Sequence, residues 1–133
     1  MILGPTHTPF DALGEPKIRA VVETFYDAMS EHEPALARLH KCDEHGRVSR
    51  ESRDRFALFL IGWLGGPQTY VEQHGHPRLR MRHGHVAIDV AMRDAWMRSM
   101  TRALDAQGVV GEVRDFLEAK LGDLATFLRN RVD

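Results

Sequence analysis

The sequence predicts an all-α fold, and three observations support this prediction. Apolar residues recur at the three- and four-residue spacing of one helix face in four separate stretches. No stretch alternates apolar and polar residues with the period of two that is typical of a β-strand. Glycine and proline residues lie between the four stretches, so each stretch is expected to form a helix of its own.

The first helix is expected over residues 15–32. Its apolar face consists of Ile18, Val21, Val22, Phe25 and Met29. Pro16 suits a first helical turn, and Pro34 lies just beyond the end. Residues 34–48, which end in a polar run, are expected to form a short helical piece followed by a loop.

The second helix is bounded by a serine cap and a glycine stop. Its apolar face consists of Phe56, Phe59, Leu60, Trp63 and Leu64. Either Ser49 or Ser52 can cap its start. The Gly-Gly-Pro sequence at 65–67 is expected to end it.

The third and fourth helices follow the same pattern. Asp89 can cap the third helix, and Gly108 and Gly111 separate it from the fourth. The apolar face of the third helix consists of Met92, Ala95, Trp96, Met100 and Leu104. That of the fourth consists of Val113, Phe116, Leu117, Leu121, Leu124 and either Phe127 or Leu128.

A broken, histidine-rich segment lies between the second and third helices. Residues 65–84 contain four glycines and two prolines, which exclude a long helix but allow turns near 71–74 and 77–83. Within this segment, HGHPRLRMRH at 74–83 places three histidines and three arginines in ten positions. Irregular segments of about 20 residues in small domains are usually functional or disordered.

The residue types leave three interpretations of this segment open. The first is a zinc site with the ligands His74, His76, His83 and His85. The second is a solvated loop with incidental histidines. In the third, one histidine binds iron, while Arg80 and Arg82 hold the carboxylates of a porphyrin. Arginine suits that role because its planar guanidinium can donate two parallel hydrogen bonds to a carboxylate.

Length and composition narrow the class of protein. A chain of 133 residues suits one domain, and its net charge of -1 argues against nucleic acid or an acidic membrane as a partner. Cys42 is the only cysteine, which excludes an internal disulfide and a Cys-x-x-Cys metal site. The N-terminus does not resemble a signal peptide, and no window reaches the roughly 18 apolar residues of a membrane span. We therefore expect a cytoplasmic protein. A monomer and a homodimer are both compatible with these observations.

Three separated motifs resemble the signature of the group II truncated haemoglobins. They are Phe-Tyr at 25–26, LGGPQTYVEQHGHPRLRMRH at 64–83 and DAWMRSMTRALD at 94–105. The resemblance runs from about Phe10 to the C-terminus. It implies a 2-over-2 helical sandwich around one haem b, in a single globin domain over residues 1–133. Residues 1–14 are then expected to be a flexible or short N-terminal segment.

The resemblance also implies roles for individual residues. His83 matches the proximal iron ligand of the family. The residues expected to contact the haem or its propionates are Phe59, Tyr70, Leu79, Arg80 and Arg82. The residues expected on the distal, ligand-binding side are Tyr26, His40, Ser52, Phe56 and Trp96.

A protein of this family is expected to bind O2, NO, CO or similar small ligands at a pentacoordinate or reversibly hexacoordinate haem. Tyr26 and Trp96 are expected to donate hydrogen bonds to the ligand, and His40 is a candidate third donor. Either Tyr26 or His40 can also become an internal iron ligand. Phe25, Phe56, Phe59, Leu60, Trp63 and Met100 are expected to supply apolar walls.

Two functional hypotheses follow. In the first, the chain is an oxygen-binding haem protein with possible peroxidase or NO dioxygenase activity, which would require a separate reductase. In the second, it is a haem-free helical interaction module whose histidine-rich loop binds a metal or a partner. A Soret band in the purified protein would distinguish the first from the second.

Overall fold

A computed structural model describes residues 3, 4 and 6–131 of the chain, and within them the secondary structure is α-helical with two isolated β-bridges and no strand. The helices are α1 (Pro9–Leu13), α2 (Glu15–His32), α3 (Pro34–Ala37), α4 (Arg50–Trp63), α5 (Thr69–His74), α6 (Leu79–His83), α7 (Val90–Ala106) and α8 (Gly111–Phe127). The prediction for residues 1–14 covers α1, but Met1, Ile2 and Pro5 lie outside the described residues.

Helices α2 and α4 begin and end close to their predicted boundaries. Helix α2 spans the predicted residues 15–32 and carries a proline in its first turn. Of the two candidate caps for α4, Ser49 is the one used, since its hydroxyl accepts a hydrogen bond from the Ser52 amide at 3.2 Å. Asp89 caps α7 in the same way, by accepting from the Met92 amide at 2.9 Å.

Two helical pairs form the predicted 2-over-2 sandwich. Helix α2 packs on α4 and α7 packs on α8, and contacts between α2 and α7 join the two pairs. The largest side chains buried between them include Ile18, Phe25, Met29, Ile61, Met100, Leu104 and Leu121. Within the described residues, no helix is long and apolar enough to cross a membrane.

The broken segment is more regular than predicted. Instead of isolated turns it contains two short helices, α5 and α6, which glycine and proline residues keep to six and five residues. Helix α5 is attached to α4 by the Gln68 side chain, whose amide Nε2 donates to the Gly62 carbonyl at 2.9 Å. Helix α5 therefore packs on α4, and its Tyr70 is buried.

The loop between α3 and α4 folds back on itself. Cys42 and Val48 form an isolated antiparallel bridge, and the Asp43 carboxylate accepts from the amides of His45 and Arg47. The loop is fastened to α4 by Arg53, whose Nε donates to the Val48 carbonyl at 2.8 Å. This closure brings the start of the loop, with His40, beside α2.

Candidate functional site

A cavity of about 520 Å³ opens between the two helical pairs and the segment that contains α5 and α6. Its volume is in the range of about 300 to 1,000 Å³ that is typical of sites for small molecules and cofactors. Helices α2 and α4 line one side, and α6, α7 and α8 contribute to the other walls. The fold therefore encloses a site large enough for a planar cofactor.

Almost every residue predicted for the site lines this cavity. The lining includes Tyr26, His40, Ser52, Phe56, Phe59, Tyr70, Leu79, Arg82, His83 and Trp96. Among the other lining residues, which sequence reasoning did not assign to the site, are Leu36, Leu39, Lys41, Glu51, Arg55, Val86, Ile88, Met92, Arg93, Leu124, Ala125 and Leu128. Several of these lie on predicted apolar helix faces, but periodicity alone does not say what such a face packs against.

Arg80 is the one predicted site residue that does not line the cavity. Its guanidinium lies 5.1 Å from the centre of the Phe127 ring. The reason is helical geometry, because residues two apart in a helix point in nearly opposite directions. In α6, Leu79, Arg82 and His83 share the cavity face at spacings of three and four, which turns Arg80 away.

The expected apolar walls are also only partly in place. Phe56 and Phe59 line the cavity, and their rings are nearly parallel. Phe25, Leu60 and Met100 instead lie in the core behind it. Trp63 is 40% exposed and stacks on the outer side of Phe59.

His83, the last residue of α6, has a defined ring orientation. Its Nδ1 lies 2.7 Å from the Leu79 carbonyl oxygen. A carbonyl can only accept, so Nδ1 carries the proton and donates, and the lone pair of the neutral ring is on Nε2. A backbone hydrogen bond of this kind is typical of histidines that bind metals, because it fixes the tautomer and the ring plane.

Of the other histidines of the segment, His74 and His76 lie away from the cavity that His83 lines. The His74 ring packs on Tyr70, and His76 Nδ1 accepts from the Arg78 amide at 3.1 Å. His85 lines the cavity. Among residues 3, 4 and 6–131, no three His, Cys, Asp or Glu side chains come together as a metal site, so the four-histidine zinc interpretation receives no support.

Tyr26 and Trp96 bring hydrogen-bond donors to the same cavity. Tyr26 is 6% exposed and lies against the rings of Phe25, Phe56 and His40. Burial raises its pKa well above the ordinary value, so the phenol keeps its proton at neutral pH. Neither the Tyr26 hydroxyl nor the Trp96 indole N–H has a hydrogen-bond partner within the described part of the chain.

His40 has the opposite hydrogen-bonding character at neutral pH. Its Nδ1 lies 3.1 Å from the Leu36 carbonyl oxygen and must donate to it. Burial lowers the pKa of His40, so the ring is neutral and Nε2 is an acceptor. The expectation of a third donor therefore holds only for the protonated ring, whereas the neutral ring can accept from the phenol.

Arg53 is a residue of this region that sequence reasoning missed. It is buried, and its guanidinium lies 5.8 Å from the centre of the Tyr26 ring. Its NH1 donates to the carboxylates of Asp27 at 2.9 Å and Glu23 at 3.1 Å. In the sequence of α2, Glu23 precedes Tyr26 and Asp27 follows it. One signal could have found it, since position 53 is in helical register with the apolar residues Ala57 and Leu60.

The rim of the cavity carries an excess of positive charge. Lys41, Arg55, Arg82 and Arg93 line it, with Glu51 as the one carboxylate among the lining residues. Glu51 already pairs with Arg55 at 3.0 Å and with Lys41 at 3.5 Å. A ligand with an apolar body and anionic groups at its edge therefore matches the cavity in both size and charge.

Comparison with known proteins identifies the class that this fold and site define. The family described as bacterial-like globin matches residues 8–130, which is nearly the whole chain. The chain belongs to this family. Membership implies a haem cofactor, in agreement with a cavity that holds an oriented histidine, apolar walls and a positive rim.

Its relatives place it with the group II truncated haemoglobins. The group 2 truncated hemoglobin YjbI of Bacillus subtilis (strain 168) is 35% identical over 127 residues, which cover 96% of this chain and 92% of that protein. The crystal structure of the group II truncated hemoglobin from Bacillus anthracis has a TM-score of 0.86 and 36% identity, and covers 95% of this chain and 98% of that one. The truncated oxygen-avid haemoglobin from Bacillus subtilis has a TM-score of 0.84 and 36% identity, with 92% and 99% covered.

Proposed function

We propose that this protein binds haem b in the 520 Å³ cavity, with His83 as the iron ligand, and holds O2, NO or CO on the side of Tyr26 and Trp96. The observation that carries the proposal is the orientation of His83. Its Nδ1 proton is committed to Leu79, so the lone pair on Nε2 remains for a metal. A relative of similar structure is described as an oxygen-avid haemoglobin.

The cofactor supplies the reactive centre. Haem, when bound, offers an iron with one open coordination position at which small diatomic ligands and redox chemistry are possible. The chain's own contribution begins with His83, because a ring that donates from Nδ1 is a more basic ligand at Nε2. Arg82, Arg55 and Lys41 are suited to hold the propionates, since charge-assisted hydrogen bonds to carboxylates are the stronger ones.

The distal residues decide which ligand is favoured. Dioxygen is polarised when it binds and gains more from hydrogen-bond donors than neutral CO does. The Tyr26 phenol and the Trp96 indole N–H are two such donors without partners in the described structure. Neutral His40 can orient the phenol by accepting from it. We expect slow release of oxygen as the result.

The finer proposals concern redox chemistry. Two donors in a pocket walled by Phe56 and Phe59 also suit NO and O2 redox chemistry or the reduction of peroxide. Each of these needs electrons from outside the chain, so we propose a separate reductase as partner. Turnover of peroxide or NO with an added reductant, measured beside stoichiometric oxygen binding, separates these activities from oxygen binding alone.

The proposal is tested by replacing His83. The wild-type protein is expected to bind one equivalent of haemin and show a Soret band. His83→Ala should lose stoichiometric haem or yield iron that added imidazole restores, since imidazole replaces the missing side chain. His74→Ala and His76→Ala are the controls, because neither residue lines the cavity. A normal spectrum in His83→Ala together with a lost spectrum in His76→Ala would contradict the assignment.

A further inference from the structure

Residues 75–88, which carry His83, are attached to the rest of the described chain by few contacts. Their hydrogen bonds to residues outside the segment are of two kinds. The Gly75 amide donates to helix α5, which it directly follows, and the other hydrogen bonds join the segment to Asn130 and Arg131. The remaining hydrogen bonds of the segment are local, such as the one between His83 and Leu79. One further contact is the Arg80 guanidinium over the Phe127 ring.

Asn130 alone makes four of these hydrogen bonds. Its side-chain Nδ2 donates to the carbonyls of Val86 at 2.9 Å and His83 at 3.3 Å. Its side-chain Oδ1 accepts from the Ile88 amide at 2.8 Å, and its own amide donates to the Ile88 carbonyl at 2.9 Å. The nitrogen and the oxygen of one amide side chain therefore both hold the loop that follows His83. This loop lies more than 40 residues before Asn130 in the chain.

Helix α6 needs such external support. It has five residues, no side-chain cap at its start, and Arg78 in the left-handed region with φ 49° at the N-cap position. A single helical turn is unstable on its own, because nucleation fixes several residues for few hydrogen bonds. The carbonyl of its last residue, His83, lies beyond the helical hydrogen bonds and accepts from the Val86 amide at 3.1 Å and from Asn130 Nδ2 at 3.3 Å.

We propose that Asn130 is a positioning residue for His83. Its hydrogen bonds hold the loop of residues 83–88 against the end of α8, and they thereby fix the position of the His83 imidazole in the cavity. Asparagine suits this task because it offers two donors and an acceptor without charge. The proposal rests on the proposed function, in that His83 is taken as the haem ligand.

The test compares Asn130→Ala and Asn130→Asp in the full chain. Asn130→Asp retains an acceptor for the Ile88 amide but turns a carboxylate oxygen toward two carbonyls. Gln107→Ala is the matched control. It removes another amide side chain that bridges elements, through a 2.9 Å bond to Thr24 Oγ1, and Gln107 does not line the cavity.

Three measurements are made on these variants. Hydrogen exchange of the Ile88 amide in the haem-free protein should accelerate about tenfold in Asn130→Ala, the effect of losing about one well-made hydrogen bond. In the haem-loaded protein, transfer of haem to an acceptor apoprotein should accelerate to a similar extent. The iron–histidine stretching band of the ferrous protein should shift or broaden in both Asn130 variants and stay as in wild type in Gln107→Ala.

The outcomes distinguish failure of the positioning role of Asn130 from failure of the proposed function. Faster exchange at Ile88 with an unchanged iron–histidine band and unchanged haem transfer would overturn the positioning role. So would unchanged exchange at Ile88 in both Asn130 variants. If the wild-type protein took up no haem, the proposed function would fail, and the positioning role would fail with it. Exchange at Ile88 could then still show that the Asn130 hydrogen bonds to the loop exist.

Discussion

At the scale of single residues, two histidines of the cavity make the same backbone hydrogen bond but have different proposed roles. His83 and His40 each donate from Nδ1 to the carbonyl four residues earlier, so each leaves Nε2 as the lone-pair nitrogen. Their surroundings then differ. His40 lies against the Tyr26 ring and is desolvated by burial, which lowers its pKa, whereas His83 ends a short helix.

The first prediction concerns Tyr26 and the buried arginine beside it. Tyr26→Phe is expected to raise the oxygen dissociation rate about tenfold, the value of one hydrogen bond of roughly 1.5 kcal/mol. Arg53→Met is expected to raise it about threefold, because loss of a buried cation–π contact allows the Tyr26 ring to move. Stopped-flow displacement of oxygen by CO measures both rates.

The control for this prediction is Arg50→Gln. Arg50 also pairs with Glu23, but it is exposed, and the cation over the Tyr26 ring is Arg53. Its loss should leave the oxygen dissociation rate within a factor of two. If Arg53→Met has the same effect on the rate in the Tyr26→Phe background as in wild type, Arg53 does not act through Tyr26.

The second prediction separates the two arginines of α6. Arg82 lines the cavity and Arg80 lies over Phe127, so Arg82→Ala should accelerate haem transfer to an acceptor several-fold. Arg80→Ala should have a smaller effect. Both variants should keep the wild-type oxygen dissociation rate, since neither residue lies with the distal donors. Equal acceleration by the two substitutions would restore the sequence-based expectation that both arginines hold propionates.

At the scale of elements, the end of α4 depends on a glycine that has no room for a side chain. Gly65 has φ 104°, and a Cβ there would lie 2.7 Å from the Cβ of Thr8. Thr8 is the N-cap of α1, where its hydroxyl and the Asp11 carboxylate form a reciprocal capping box. The glycine that follows the end of α4 therefore packs against the residue that caps the start of α1.

The third prediction follows from this packing. Gly65→Ala should lower the free energy of unfolding by about 3 kcal/mol, because a strained backbone and an overpacked contact add together. Gly75→Ala is the matched control, since Gly75 also has a positive φ, 75°, but open space around its Cα. It should cost about 1 to 2 kcal/mol, the strain of its positive-φ, extended backbone conformation alone. Urea denaturation of the haem-free protein measures both, and equal costs would mean that the Thr8 contact relaxes freely.

At the scale of the whole molecule, the candidate site exists only because three helices and one loop meet. Tyr26 comes from α2, His40 from the residues after α3, His83 from α6 and Trp96 from α7. Helix α2 holds this arrangement, because it packs on both α4 and α7 and is buried along one face. The donors Tyr26 and Trp96 thus come from different pairs of the sandwich, whereas His83 comes from the short helix α6, which belongs to neither pair.

The fourth prediction concerns which of these residues becomes an internal iron ligand. Ligation by Tyr26 should appear in the ferric protein and increase with pH, because the phenol must lose its proton and burial raises its pKa. Ferric iron opposes that rise by competing with the proton. Ligation by His40 should instead persist after reduction, since neutral imidazole binds both oxidation states.

Electron paramagnetic resonance and resonance Raman spectroscopy of wild type, Tyr26→Phe and His40→Phe test this prediction. A low-spin ferric species that grows with pH and vanishes in Tyr26→Phe is expected. If it survives in Tyr26→Phe and vanishes in His40→Phe, the two roles must be exchanged. Absence of a low-spin species at every pH would exclude an internal ligand from either residue.

Much of the fold follows from rules that act within a few residues. The apolar period of 3.6 predicts the four long helices, and Ser49, Asp89 and Gly65 mark boundaries that the structure retains. Such signals are readable because capping and backbone conformation depend on near neighbours. The cavity-lining positions of His83 and Tyr26 were predicted as well, through motifs whose spacing resembles that of a known family.

Contacts between distant residues were decided by the tertiary structure alone. Arg53 is in register with an apolar face, and only the approach of α2 shows why a charge can be buried there. Asn130 and His83 are brought together across 47 residues by the packing of α8, and no local pattern predicts this pairing. The physical reason is that periodicity says which face of a helix is buried, whereas the partner of a buried polar group is set by which helices meet.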